Sequence, residues 1–186
     1  MPAKTVKRES PYLRVGTTIY KRVRQPLSSG RSVETLIPWN VETLRQDYGK
    51  SYLACALGHE ACKRGFRTFY ANAPKLLGAL KVAKVKGTLE TELKKIERCR
   101  LLILDDLFIV PLDAKERPIL LDIIEDRHER KSIIITSQYP SSNWYDMVGD
   151  PTIADAILDR IIHTAHTIEL YGESMRKLRA KKNGKF

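Results

Sequence analysis

Apolar positions in this chain repeat with two different spacings. Arg67-Thr68-Phe69-Tyr70-Ala71, Leu101-Leu102-Ile103-Leu104, Ser132-Ile133-Ile134-Ile135 and Thr167-Ile168-Glu169-Leu170 are short apolar or β-branched runs, the length of strands rather than of buried helices. Between them apolar residues recur at three- and four-residue intervals. One helix follows Gly49-Lys50-Ser51 through Tyr52 to Leu57; a second, opened by a proline, runs from Pro74 to about Ala83; a third presents Leu89, Leu93 and Ile96. A fourth begins at the capping pattern Asp113-x-x-Glu116, reaches about His128 and turns Ile119, Leu120, Ile123 and Ile124 inward. The last starts at Pro151 with Thr152 as its cap and aligns Ile153, Ile157, Leu158, Ile161 and Ile162, leaving Arg160 outside that face. Strands alternating with helices predict an α/β fold with a parallel sheet and right-handed crossovers.

The first forty residues are less patterned. Tyr12 to Val15 and Thr17 to Tyr20 read as short strands joined by Gly16, Pro26 to Gly30 as a loop, and Glu34 to Trp39 as another strand. A chain of 186 residues is long enough for one domain with a proper core. No run approaches the ~20 apolar residues of a membrane span, and the amino terminus lacks the apolar core of a signal peptide, so a cytoplasmic location with no membrane partner is expected. Cys55, Cys62 and Cys99 show no metal-ligand spacing and read as reduced packing residues, Cys55 and Cys62 facing the core from one helix. His163 and His166 are three apart, with the helix ending between them and no third ligand in view, which argues against a metal site.

Charge adds a partner to this picture. The net charge is +11, and much of the excess lies at the two ends: Lys4, Lys7, Arg8, Arg14, Lys21, Arg22, Arg24 and Arg31 in front, Arg176, Lys177, Arg179, Lys181, Lys182 and Lys185 behind. Basic ends around a near-neutral middle point to a polyanion, DNA above all, against the plainer reading of a basic surface.

Three places carry candidate chemistry. Leu101 to Leu104 ends in Asp105-Asp106, a Walker B pattern: at the carboxyl end of a buried parallel strand one acid would hold Mg²⁺ and the next polarise water. The alternative is a core strand ending in a solvated turn. Gly49-Lys50-Ser51 entering an apolar helix resembles the end of a phosphate-binding loop, with Lys50 on the phosphates and the Ser51 hydroxyl on Mg²⁺. The full pattern, G-x-x-x-x-G-K-[ST], fails here. Leu44 stands where the turn glycine belongs, Asp47 places negative charge in the loop, and no apolar strand precedes it. Thr136-Ser137-Gln138 gives the third strand a polar carboxyl end that could sense a γ-phosphate or hold the attacking water, or could be ordinary strand termination.

From Gly49 to about Lys177 the sequence resembles IstB-type ATPases, helper proteins of insertion-sequence transposases that are related to the DnaC helicase loader. The resemblance rests on Leu101 to Asp106, Ile123-Ile124-Glu125-Asp126-Arg127, Ile133 to Gln138, Gly149 to Arg160 and Gly172-Glu173-Ser174-Met175-Arg176-Lys177. It implies a P-loop NTPase of the AAA+ type, here lacking the usual first strand and a complete Walker A loop. By the same resemblance Gly49, Lys50, Ser51, Thr136 and Gln138 would bind ATP and Ser51 and Asp105 would bind Mg²⁺. Asp106, Ser137 and Arg160 would be catalytic, Arg160 as a finger reaching a neighbouring subunit. The implied partners are DNA, the transposase of the same mobile element and further copies of the chain.

Tyr12 through Gly49, with Arg14-Val15-Gly16-Thr17-Thr18, Ile37-Pro38-Trp39 and Leu44 to Lys50, resembles instead the start of primase-helicase-like proteins of mobile elements. Two resemblances meeting at Gly-Lys-Ser suggest a recombined gene. The expected divisions are a basic segment over 1–48, the ATPase core over 49–177 and a basic tail over 178–186. The missing strand would leave its neighbours unpaired unless a substitute fills the gap, and Val33 to Ile37 is the nearest candidate. Three functions remain open: an ATP-dependent helper of transposition, a helicase loader, and a remnant that binds DNA or partners without hydrolysing ATP.

Overall fold

A computed structural model describes residues 14–21, 49–162 and 165–171. Its elements are β1 (Arg14–Lys21), α1 (Gly49–Lys63), β2 (Thr68–Asn72), α2 (Ala73–Val85), α3 (Leu89–Glu97), β3 (Leu101–Asp105), α4 (Glu116–Arg127), β4 (Ser132–Thr136), α5 (Trp144–Val148), α6 (Pro151–Ile162) and β5 (His166–Tyr171). They build one five-stranded sheet in the order β2-β3-β4-β1-β5. β2, β3 and β4 are parallel, as the alternating pattern predicts.

Alternation along β3 divides the core. Leu102 and Leu104 face the large cluster built by α2 to α6, while Leu101 and Ile103 face α1 with Ala54 and Ile134. Among the described residues α1 is the one helix on its side, and small residues bring it close to the sheet. A Cβ on Gly58 would lie 2.6 Å from the Ile103 Cδ1, so the helix approaches to a distance that larger side chains would prevent. On the other side Phe108 and Trp144 pack with ring centroids 5.2 Å apart, and α4 and α6 pack against each other in the cluster that also holds Ile133 and Ile135 of β4.

The gap left by the absent first strand is filled, though not by the expected segment. Arg14–Lys21 lies between β4 and β5, pairing Thr18 with Thr136 and with Ile168. Val33 to Ile37 lies outside the described residues. The two short strands expected on either side of Gly16 are one strand, with a register shift between Arg14 and Thr17 against β5. β1 is antiparallel to both neighbours, so the sheet is mixed where an all-parallel one was expected. Satisfying backbone hydrogen bonds on both sides is enough to hold a strand in either direction.

The capping pattern before α4 closes as predicted. The Asp113 carboxylate accepts from the Glu116 backbone N–H at 2.8 Å, and Glu116 accepts from that of Asp113 at 3.1 Å. The cap of α6 is Asp150 rather than Thr152: its carboxylate accepts from the Ile153 N–H at 3.0 Å, with Pro151 in the first turn. Cys55 and Cys62 are half-buried rather than core-facing.

Candidate active site

The parallel register places the carboxyl ends of β2, β3 and β4 side by side, Asn72 opposite Asp105, with Thr136 closing β4. Asp105 is buried and accepts hydrogen bonds from three hydroxyls. Ser51 of α1 donates to its Oδ1 at 2.9 Å, Thr136 donates to the same oxygen, and Tyr70 of β2 donates to Oδ2 at 2.5 Å. The Thr136 Oγ1 also accepts from the Asp106 backbone N–H at 3.0 Å. One threonine thus fixes both acids. The backbone turns sharply here, with Asp106 at φ 57° and Phe108 at φ 62°. Such values for residues other than glycine cost of order 1–3 kcal/mol and persist where the surroundings fix them. The Leu107 N–H bond to the Thr136 carbonyl, 2.9 Å, is part of that fixing.

Asp106 sits between two amides, the Gln138 Nε2 and the Asn72 Nδ2, each 3.4 Å from one of its oxygens. Burial and the adjacent Asp105 charge raise its carboxyl above the ordinary range, opposed by the Gln138 amide and Lys50. Lys50 is buried and donates from Nζ to the Ser137 carbonyl at 3.0 Å. Burial lowers its ammonium pKa against the pull of Asp106 and Asp105. Cys55, one turn along α1 from Ser51, is pushed up to about 11 by burial and by Asp105, which keeps the thiol protonated at neutral pH.

Eight of the nine residues singled out from sequence lie at this edge: Gly49, Lys50, Ser51, Asp105, Asp106, Thr136 and Gln138 through their positions or side-chain contacts, and Ser137 through its backbone. Ser137 is at the same place but turns otherwise. Its hydroxyl accepts from the Tyr139 N–H at 3.2 Å, and its carbonyl rather than its side chain meets Lys50. Arg160 is held elsewhere, in an ion pair with Glu125 of α4 at 2.9 Å and a bond to the Ala156 carbonyl. Tyr70 and Asn72 were not foreseen. The signal available for them was β2 itself, since a parallel neighbour ending beside Asp105 must deliver its last residues to the same edge.

The donor set suits a Mg²⁺ nucleotide. Ser51, Asp105 and Thr136 offer hard oxygen atoms close together, as an ion bound by one or two carboxylates and phosphate oxygens needs. α1 begins beside them with no acid in its first turn and with Lys50 next to its amino end. The standard strand-to-loop passage into that helix is not made by β1, whose carboxyl end, Lys21, pairs with Ile133 at the opposite edge of the sheet.

Fold and edge together define a P-loop NTPase core of the AAA+ type. Among solved structures, that of the DnaC helicase loader matches with a TM-score of 0.53 and 27% identity, over 60% of this chain and 68% of that one. AMPPCP-bound DnaA from Aquifex aeolicus matches with a TM-score of 0.52 over 60% of this chain and 35% of that one; at 24% identity this likeness is one of fold alone. The chain belongs to the IstB-like ATP binding protein family, whose profile matches residues 44–183. The putative insertion sequence ATP-binding protein y4uH of Sinorhizobium fredii is 49% identical over 131 residues, 70% of this chain and 53% of the relative. The IS21 putative ATP-binding protein of Pseudomonas aeruginosa is 36% identical over 136 residues, 73% and 51% of the two chains. The chain spans about half the length of the curated relatives it matches. No helix among the described residues is long and apolar enough to cross a membrane.

Proposed function

We propose that this chain is an ATP-binding, DNA-binding helper of insertion-sequence transposition, acting in the cytoplasm as an oligomer beside the transposase of its element. The observation that carries the reading is the knot of Ser51, Asp105 and Thr136 at the amino end of α1. In this reading Gly49, Lys50 and Ser51 would hold the phosphates, and Ser51 and Asp105 would hold Mg²⁺, which when bound would supply positive charge to offset that of the phosphates. Asp106 accepts the proton of the attacking water, a role its raised carboxyl pKa favours. Thr136 and Gln138 keep the two acids in place, Ser137 keeps Lys50 in place through its carbonyl, and Arg160 serves a neighbouring subunit after leaving Glu125.

The direction of β1 favours a second reading, a remnant that binds DNA or partners without turnover. An antiparallel strand in that slot cannot lead directly into a glycine-rich loop. Without such a loop, every backbone hydrogen bond it would have donated to phosphate is forfeited, at ~1.5–3 kcal/mol each. Titration with a fluorescent ATP analogue in Mg²⁺ separates the two. Saturable binding, weakened about tenfold or more in both Lys50→Ala and Asp105→Ala, a loss of about 1.4 kcal/mol, is expected for the first. A folded wild-type protein that binds no analogue establishes the second.

A further inference from the structure

Alternation along β2 and β3 decides which side chains can meet Asp105. Leu101, Ile103 and Asp105 share the face of β3 that α1 covers, and the parallel register sets Tyr70 opposite Ile103. Tyr70 is therefore the diagonal neighbour of Asp105 on that face, at a separation a long aromatic side chain spans. Its ring packs against the cluster of Ala54, Leu101, Ile103 and Ile134 while its hydroxyl donates to the Asp105 Oδ2 at 2.5 Å.

The two oxygens of this buried carboxylate are held differently. Oδ1 accepts from Ser51 and Thr136, both with hydroxyls on short side chains. Rotation about one bond turns the Ser51 oxygen to another partner. Oδ2 accepts from a phenol whose oxygen moves only if the whole ring leaves its packed place. Oδ1 is thus the oxygen that can be released to a ligand, and Oδ2 the one that stays engaged.

We infer that Tyr70 is a positioning residue that confines Asp105 to one ligating oxygen and so sets the site's preference for Mg²⁺ over Ca²⁺, an inference that rests on the nucleotide-binding reading above. The two ions ask different things of a carboxylate. Ca²⁺ takes roughly six to eight oxygens in a flexible shell and accepts both oxygens of one carboxylate; Mg²⁺ demands near-ideal octahedral geometry and keeps several waters. A carboxylate with Oδ2 engaged by a fixed phenol offers a single oxygen, which serves the smaller ion and denies the larger one its second contact.

The test strips metal from the full chain with a chelator, adds the fluorescent ATP analogue, and titrates in Mg²⁺ or Ca²⁺ to find the midpoint concentration of each. Wild type should reach its midpoint at a lower concentration of Mg²⁺ than of Ca²⁺. Tyr70→Phe keeps the ring and removes the hydroxyl, and it should shift the ratio of midpoints towards Ca²⁺ by about tenfold, the order of one hydrogen bond to a charged group. The affinity of each ion for the analogue itself cancels between the two proteins. A tyrosine that only packs would change both midpoints alike, so an unchanged ratio in Tyr70→Phe overturns the inference and leaves nucleotide binding standing. Wild type supported as well by Ca²⁺ as by Mg²⁺ does the same. Tyr145→Phe, at an exposed position of α5, should keep the wild-type ratio, and an equal shift there also overturns the assignment to Tyr70. Wild type that binds the analogue with neither ion removes both readings.

Discussion

β4 is paired along both sides, and its two neighbours contribute different things. Against β3 it is parallel, and the register that aligns Leu101 with Ser132 brings two strand ends together, so Thr136 reaches both Asp105 and Asp106. Against β1 it is antiparallel, with Thr18 opposite Thr136, and the hydrogen-bond ladder is just as continuous. The first pairing produces a constellation of side chains. The second closes a gap. A strand's direction has little bearing on whether backbone groups are satisfied, yet it decides which end of the next loop reaches the ligand edge.

The contrast makes its largest demand on β1. Ile19→Pro should cost roughly 3 kcal/mol, from a missing ladder bond and a ring set against the neighbouring strand. Hydrogen exchange should then quicken at alternate amides of Ser132–Thr136, those on the β1 side, with the β3 side still protected. Unchanged exchange there would mean that β1 is not seated in the slot. A smaller effect is expected on the other side of β4, at Asp106. Its raised carboxyl pKa contributes stability below the ordinary aspartate value of about 4, and that contribution is lost as pH rises through the raised value. Asp106→Asn should therefore have the higher urea midpoint at pH 7, the difference shrinking as pH falls towards 4. A wild type that is the more stable at pH 7 would contradict it. The smallest effect concerns Tyr70, whose phenol is pushed up first by burial and then by Asp105. In an ultraviolet alkaline titration wild type should retain a tyrosine un-ionised beyond the usual value near 10, and Tyr70→Phe should remove that late portion at a cost of about 1 kcal/mol.

The sequence was most readable where one strand's own residues determine its surroundings. Leu101 to Asp105 is apolar on both faces and then charged, a pattern with few structural solutions, and β4 repeats it with Thr136 at its end. The helices were legible from spacing alone; α2 and α3 fall where Pro74 and the Leu89, Leu93, Ile96 series place them. β1 was not legible as an element of this sheet. Arg14–Lys21 alternates weakly, and its partners lie more than a hundred residues away, so local pattern contains neither its slot nor its direction. Tyr70 and Asn72 are ordinary strand-end residues until the register with β3 is known. Lys50 was found from its tripeptide, but its bond to the Ser137 carbonyl depends on how closely Gly58 lets α1 approach Ile103.

The position of β1 also carries a consequence for the order of assembly. At a synthesis rate of ~5–20 residues per second, roughly seven to thirty seconds separate the translation of Arg14–Lys21 from that of β5. The strand made first among those described finds both its partners last. Until β4 and then β5 are made β1 has neither of its ladder partners, and a nascent chain in that interval is open to pairing with any other extended segment.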